Sequence, residues 1–269
     1  MDFGFIIPTC CKKEIHIKQL LRCVSSIRVH YPTHKIILIN DYDDTINSRI
    51  NDENIEIIKS VVQGSADQQI FKVFLESDMD KMVFIQDSMM LNKKLSGIES
   101  INDIQFLWHF TNHQTQWDNI QEPTSEYNIN NGITTHSDLI THILNTDYQS
   151  LSPEFYNYAI DSMKNKNKWC GGFGCCCIMT RECLEKINRI VPFIDLFMGY
   201  NSNRLRRVNE SIFALLCHYV YPNINFKNSY DGLYYDGKTT NRHSGTKAGF
   251  DGIRWCHRGN YVSKISFNR

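Results

Sequence analysis

Lys81 to Leu91 reads Lys-Met-Val-Phe-Ile-Gln-Asp-Ser-Met-Met-Leu and passes from an apolar run into three polar residues and back. The apolar part, Met82 to Ile85, is too short for a buried helix and is rich in residues that favour β-structure, which predicts a central strand. A polar side chain directly after such a strand lies at the rim of the sheet, where open α/β sheets collect their ligands. Asp87 is therefore the first candidate for binding a charged group.

Strand and helix patterns alternate before this stretch. Short apolar runs predict strands at Phe3 to Ile7, Lys35 to Ile39 and Ile55 to Ile58. Apolar side chains at helical spacing predict helices over Lys13 to Val29 and from Ala66 to Glu76. This order is typical of parallel strands joined by helical crossovers, so we predict an α/β fold with a mostly parallel central sheet flanked by helices.

The second half carries weaker signals. A strand is predicted at Ile104 to Phe110, whereas residues 111–135 are polar, lack periodicity and predict a long loop. The glycines of Gly171-Gly172-Phe173-Gly174 permit tight turning or close approach of a ligand. A helix is predicted over Arg206 to Tyr219, and the segment 230–259, rich in Gly, Lys, Arg and His, is predicted to be a loop near an anion.

Composition narrows the possible classes of protein. Of 269 residues 42% are hydrophobic, which is enough for a sizeable core. Lys+Arg and Asp+Glu both number 29, so no net charge draws the chain to nucleic acid or to an anionic membrane. The 10 cysteines form no C-x-x-C pair, and most of them are expected to be reduced and buried. No segment reaches the roughly 20 apolar residues of a membrane span, so a soluble, cytoplasmic protein is expected.

Polar residues at three predicted strand ends are expected to converge. Thr9 follows the first strand, Asp41 the second and Asp87 the fourth. A solvated turn that includes Asp43 and Asp44 is an equal alternative for Asp41, and Asp87 could instead cap the next element. G-x-G-x-x-G and P-loop motifs are absent, which removes the main support for a dinucleotide-binding or NTPase function.

Charged residues of the second half are further candidates. Glu210 is predicted at the start of the last long helix, where a carboxylate either interacts with the helix dipole or acts as a base. His257, Arg258 and Lys247 are predicted in a terminal loop, where they are either ordinary surface residues or bind a diphosphate. A nucleophile among Cys175 to Cys177 is disfavoured because an apolar run does not activate a thiolate.

Together these segments resemble the GT-A class of nucleotide-sugar-dependent glycosyltransferases, especially inverting enzymes of the family 2 type. The similar segments are Phe5-Ile6-Ile7-Pro8-Thr9, Leu38-Ile39-Asn40-Asp41, Gln63-Gly64-Ser65-Ala66 with Gln68, Phe84-Ile85-Gln86-Asp87-Ser88, Gly171-Gly172-Phe173-Gly174 and Val208-Asn209-Glu210-Ser211-Ile212-Phe213. The resemblance implies that Thr9 and Asp41 contact the nucleobase, that Gln68 packs beside it, and that Glu210 is the catalytic base.

The family's D-x-D motif is reduced here to Gln86-Asp87-Ser88, which keeps one carboxylate. By resemblance, Asp87 and His257 are expected to hold a divalent cation, Mn²⁺ or Mg²⁺. The nucleotide-sugar site is expected to include these residues together with Gln86, Gly172 and Arg258.

The resemblance further implies one glycosyltransferase domain, residues 1–269, with a nucleotide-sugar-binding half at 1–95 and an acceptor-binding and catalytic half at 96–269. Its expected reaction moves a sugar from a UDP-sugar to a hydroxyl of a glycan or other acceptor, with inversion. Two alternatives stay open. One is a glycosyltransferase-like nucleotide-sugar-binding or glycan-binding protein, or a virion protein, without turnover. The other is a sugar-phosphate nucleotidyltransferase, which should have a Gly-rich loop where this chain has Thr9-Cys10-Cys11-Lys12-Lys13.

Overall fold

The computed structural model of the chain describes residues 2–42, 44–111, 126–165, 169–199, 203–225, 229–231 and 253–267. Within these ranges the structure describes the backbone but not the side chains of residues 44, 111, 127, 199, 203–207, 253–258 and 266–267. Several features predicted from the sequence fall outside the description, namely Asp43, most of the polar segment 111–125 and Lys247.

The first half of the chain alternates strands and helices. Its elements are β1 (Phe3–Thr9), α1 (Glu14–His30), β2 (Ile36–Asn40), β3 (Ile55–Lys59), α2 (Ala66–Glu76), β4 (Lys81–Phe84) and β5 (Met89–Leu91). The described part of the second half adds β6 (Ile104–Phe106), β7 (His109–Thr111), α3 (Glu126–Asn130), α4 (His136–Ile143), α5 (Gln149–Leu151), α6 (Pro153–Lys164), β8 (Cys170–Gly172), β9 (Cys177–Thr180), α7 (Arg181–Ile190), α8 (Ile194–Gly199), α9 (Asn203–Val220), β10 (Ile253–Arg258) and β11 (Val262–Phe267).

Six of the described strands form a central sheet in the order β3-β2-β1-β4-β9-β6. The first four are mutually parallel, and β9 runs antiparallel to both of its neighbours. Strands β1, β2 and β4 are buried along almost their whole length, as expected for parallel strands covered on both faces. The predicted α/β fold with a mostly parallel central sheet is confirmed.

The apolar run from Ile104 to Phe110 does not form the single strand that was predicted. It divides into β6, which pairs with β9 of the central sheet, and β7, which pairs with β8 in a separate two-stranded sheet. Apart from the half-buried Gln105, the side chains of this run are buried, including Leu107 and Trp108 at the junction. Because no polar residue marks the break, the pattern of apolar residues could not locate it.

The prediction of a long loop up to residue 135 is wrong from Glu126 onward, where α3 begins. Helix α4 begins with a capping box, in which Thr135 Oγ1 accepts the Asp138 N–H and the Asp138 carboxylate accepts the Thr135 N–H. Leu139 and Ile140 are fully buried on its inner face. Frequent Asn, Ser and Thr residues dilute the helical spacing in this part of the sequence.

The C-terminal strands form a three-stranded sheet, β10-β11-β5, beside the central one. The Asp231 carboxylate accepts the N–H groups of Tyr261 and Val262 at 2.8 and 2.7 Å, which fixes the chain just before β11. His257 and Arg258 lie in β10, where they pair with Lys264 and Ser263 of β11, so their predicted placement in a loop is wrong. The predicted loop relied on Gly and charged residues, whereas strand pairing with β11 decides the backbone here.

Two expectations from composition concern cysteines and membrane spans. The cysteines described are free thiols and, apart from the partly exposed Cys10, they are buried, as predicted. Among the helices that the structure describes, none combines the length and apolarity required to cross a bilayer.

Candidate functional site

The polar ends of β1, β2 and β4 meet at one edge of the sheet. Thr9 Oγ1 donates a hydrogen bond to Asp87 Oδ2 over 3.2 Å, and the Asp41 N–H donates to the Thr9 carbonyl over 2.8 Å. Strand β1 continues through Pro8, past its predicted end, so that Thr9 lies level with Asn40. Thr9 and Asp41 are buried and Asp87 is half-buried. The predicted convergence of these three residues is confirmed.

Asp41 fixes the start of helix α2. Its Oδ1 accepts the backbone N–H groups of Ser65 and Ala66, both at 3.2 Å. The first N–H groups of a helix have no partner within the helix, and the helix dipole favours a negative charge there. The solvated-turn alternative is therefore wrong for Asp41, which is 7% exposed.

Gln68 lies in the first turn of α2 and is buried. Neither its Oε1 nor its Nε2 has a hydrogen-bond partner among the residues that the structure describes. Leaving a buried amide unpaired costs about 1–3 kcal/mol for each polar group. A ligand that both donates to and accepts from this amide would remove that cost.

Replacing Asp41 with alanine is expected to lower the free energy of unfolding by about 1 kcal/mol, the usual loss when a helix start loses its acceptor. Asp41→Asn keeps an acceptor oxygen and is expected to lose less. Urea denaturation of the two variants and the wild type measures the difference. Equal stability of wild type and Asp41→Ala would contradict the capping role.

A lysine from the end of the chain reaches the strand end of β4. Lys264 Nζ donates a hydrogen bond to Gln86 Oε1 and lies 4.9 Å from the centre of the Phe173 ring. Lys264 is paired with Met89 of β5, and the next residue, Ile265, donates its N–H to the Ser88 carbonyl over 2.9 Å. Only 7% of Lys264 is exposed. This buried cation was missed from the sequence, where the available signal was one lysine inside an otherwise strand-like run.

The glycine-rich segment is explained by two kinds of contact. Gly174 has φ +62°, in the left-handed region, and a Cβ there would lie 2.9 Å from Gln86 Nε2. A Cβ on Gly172 would lie 2.4 Å from a Phe106 ring carbon, and one on Gly171 would lie 1.8 Å from the Phe110 ring. Gly171 and Gly172 therefore leave room for neighbouring aromatic rings, and Gly174 forms the turn beside Gln86. Binding of a nucleotide sugar at Gly172 stays a prediction.

Glu210 lies about two turns after the start of α9, which begins at Asn203. The predicted position at the helix start is wrong, and so is the capping alternative, because a helix dipole acts only within its first turn. The first turn carries few apolar residues, so apolar spacing detected only the later turns. Helix α9 packs against β8 and the turn Phe173–Cys175, and Glu210 is half-buried.

The Cys176 thiol, just after the turn Phe173–Cys175, is influenced by both Lys264 and Glu210. Burial raises the pKa of the Cys176 thiol to about 12, with Lys264 acting to lower it and Glu210 to raise it. Burial, followed by Glu210, also raises the pKa of Cys175. Packing brings the same two residues to this turn, because α9, which carries Glu210, packs against Phe173–Cys175, and Lys264 Nζ lies 4.9 Å from the centre of the Phe173 ring.

Two further thiols near the site, those of Cys23 and Cys177, are not activated. Burial raises the pKa of Cys23 well above its ordinary value, and the neighbouring Asp87 raises it further. Burial likewise raises the pKa of Cys177. Neutral thiols are poor nucleophiles, so the structure gives no support to covalent catalysis by the cysteines beside the site.

A divalent cation fits the described residues poorly. Within the described ranges, no group of three or more His, Cys, Asp or Glu side chains is arranged to hold a metal ion. A cation between Gln86 and Asp87 would lie near the ammonium of Lys264, and like charges repel. The backbone of His257 pairs with that of Lys264, and the side chains of His257 and Arg258 lie outside the description. Metal binding by Asp87 and His257 stays a prediction.

Comparisons with known proteins give partial structural matches. No protein-family model matches this chain, and a search of curated proteins finds no match. TarS from S. aureus in complex with UDP aligns at 15% identity over 40% of this chain and 35% of that chain, with a TM-score of 0.32. A second structure of S. aureus TarS aligns at 13% identity over 46% of this chain and 25% of that chain, with a TM-score of 0.32. An active-site mutant of LgtC aligns at 12% identity over 40% of this chain and 46% of that chain, also with a TM-score of 0.32. This chain therefore spans less than half of each of these structures.

Proposed function

We propose that this protein is a glycosyltransferase of the GT-A type, which takes a sugar from a nucleoside diphosphate sugar, with UDP as the expected nucleotide, and transfers it to a hydroxyl group. One observation carries the proposal. Thr9, Asp41 and Asp87 meet at the carboxyl edge of parallel strands, and α9, which carries Glu210, packs against the turn Phe173–Cys175, whose Gly174 lies beside Gln86. In open α/β sheets this edge is where ligands bind.

The end of the site near α2 is suited to a pyrimidine base. A uracil ring offers one N–H donor between two carbonyl acceptors. Asp41 is held rigidly by bonds to its Oδ1, so its Oδ2 can accept from the ring N–H. Gln68, buried in the first turn of α2, can pair with a ring carbonyl through its Nε2. This pairing would provide the missing acceptor for the Gln68 N–H groups.

Sugar transfer would then proceed as a single displacement. The acceptor oxygen attacks the anomeric carbon, and a bond forms between them as the bond from that carbon to the diphosphate oxygen breaks. The electron pair of the broken bond leaves with the nucleoside diphosphate, and Glu210 takes the proton of the acceptor hydroxyl. Attack opposite the leaving group inverts the anomeric centre. Proton transfer of this kind contributes about 10²–10⁴-fold to the rate.

The proposed division of the domain follows from these roles. The base-binding residues Asp41 and Gln68 belong to residues 1–95, and Glu210 belongs to residues 96–269. The acceptor, a glycan or another compound with a hydroxyl group, would enter on the side of α9. No step of this reaction involves nucleic acid.

A thermal-shift panel of nucleotides and nucleotide sugars tests the proposal. We expect UDP and at least one UDP-sugar to raise the melting temperature, because a ligand at 100 times its Kd stabilises the folded state by about 2.7 kcal/mol. GDP and CDP serve as comparisons. Failure of every nucleoside diphosphate and nucleotide sugar in the panel to raise the melting temperature would contradict the proposal. Binding without release of UDP to any acceptor would indicate the non-catalytic alternative, and synthesis of a nucleotide sugar from a sugar phosphate would indicate the nucleotidyltransferase.

A further inference from the structure

We infer that Lys264, in place of a divalent cation, provides the positive charge that stabilises the leaving diphosphate. This inference rests on the proposed function and concerns the phosphate end of the same site. Its starting point is the contact between the Lys264 ammonium and Gln86, the residue just before Asp87 at the carboxyl end of β4.

The backbone fixes Lys264 in this position. Strand β11 is paired with β5, which begins two residues after Asp87. The Ile265 carbonyl accepts a hydrogen bond from Gln19 Nε2 of α1 over 2.8 Å, and the Ile265 N–H donates to Ser88. The backbone beside Lys264 is thus held by hydrogen bonds, and the ammonium is held by its bond to Gln86. A group fixed in this way needs little reorganisation when charge develops on a substrate.

The residue type at position 86 preserves the charge of the lysine. An aspartate or glutamate there would form an ion pair with Lys264 and neutralise it. Gln86 instead accepts a hydrogen bond from the ammonium through a neutral amide oxygen, so residue 86 adds no negative charge beside the lysine. The neutral side chain at position 86 and the buried lysine in contact with it fit one explanation: the lysine supplies the positive charge that a bound cation would otherwise provide.

Burial makes the positive charge effective. Lys264 is 7% exposed and lies over the face of Phe173, which attracts a cation. Electrostatic interactions are stronger in such a water-poor environment than in bulk water. As the bond between the anomeric carbon and the diphosphate oxygen breaks, its electron pair passes to the diphosphate. A hydrogen bond from Lys264 Nζ stabilises that charge without transfer of a proton.

The test compares UDP with uridine, which lacks the diphosphate, in excess EDTA. Lys264→Met keeps the length and apolar character of the buried stem and is expected to weaken UDP binding at least about tenfold, while leaving uridine affinity unchanged. Release of UDP from the donor sugar should fall by about 10²–10³-fold, as when one preorganised donor is lost. Lys264→Arg is expected to recover part of both losses. Lys93→Met, at an exposed lysine over the Tyr261 ring, is the matched control and should change neither.

A second variant keeps the lysine and removes its net charge. Gln86→Glu is expected to weaken UDP binding and to spare uridine binding, since the new carboxylate pairs with Lys264. Wild-type transfer that stops in EDTA and returns with Mn²⁺ would overturn the inference and leave the proposed function intact. Equal losses of UDP and uridine affinity in Lys264→Met would also overturn the inference, because they would indicate that Lys264 has a structural role. Failure of the wild type to bind UDP with or without Mn²⁺ would remove the basis of the inference as well as the expected uridine nucleotide.

Discussion

Replacing Glu210 with glutamine is expected to lower the rate of sugar transfer by about 10²–10⁴-fold and to leave the dissociation constant of UDP unchanged. Glutamine has nearly the shape of glutamate and preserves the packing of α9 against the turn Phe173–Cys175. It cannot take a proton from the acceptor hydroxyl. Steady-state measurement of UDP release, together with calorimetric titration of UDP, gives both quantities.

Glu185→Gln is the matched control, because Glu185 is an exposed residue of α7 and has no role in the proposed reaction. It should retain the wild-type rate. Near wild-type transfer by Glu210→Gln would exclude Glu210 as the base. A parallel loss of UDP binding would instead show that Glu210 supports the nucleotide site. These two outcomes separate catalysis from binding.

Replacing Arg181 with methionine is expected to lower the free energy of unfolding by about 3 kcal/mol, the largest effect we expect on stability. The Arg181 guanidinium donates five hydrogen bonds of 2.7–3.1 Å to four backbone carbonyls, those of Phe74, Leu75, Ser77 and Met79. These carbonyls lie at the end of α2 and in the loop to β4, where a helix has no internal donors left. Methionine keeps the apolar packing and removes every donor.

Urea denaturation measures this loss, with Arg189→Met as the control. Arg189 is exposed in the last turn of the same helix, α7, and its replacement should change stability by no more than about 0.5 kcal/mol. A similarly small effect of Arg181→Met would contradict the role of this side chain. Because α2 also carries Gln68 at its other end, a loosened α2 is expected to weaken nucleotide binding.

The sheet edge was predictable because short apolar runs identified β1, β2 and β4 directly. Parallel strands bring their carboxyl ends to one edge, so Thr9 and Asp41 followed from sequence order alone. The place of Lys264 at this edge could not be predicted in the same way, because it depends on the pairing of β11 with β5, and these strands are far apart in the sequence. The place of Glu210 within α9 was missed because polar residues of the first turn hide the helix start.

Helices α4 and α6 show a second limit of the apolar pattern. Their starts are marked by hydrogen-bonding side chains, with Thr135 Oγ1 accepting the Asp138 N–H and Ser152 Oγ accepting the Phe155 N–H. Pro153 in the first turn of α6 is a further start signal. These capping residues can be recognised in the sequence. A prediction that gave capping residues more weight than apolar spacing would have identified both helices.

Calorimetric titration of UDP and uridine, in excess EDTA, into the wild type, Asp41→Ala and Lys264→Met tests the central claim most directly. The wild type should bind both ligands, and UDP more tightly. Asp41→Ala should weaken both, because Asp41 meets the base, whereas Lys264→Met should weaken UDP alone. Absence of UDP binding by the wild type, or full affinity for UDP in both variants, would contradict a uridine nucleotide bound at the carboxyl edge of β1, β2 and β4.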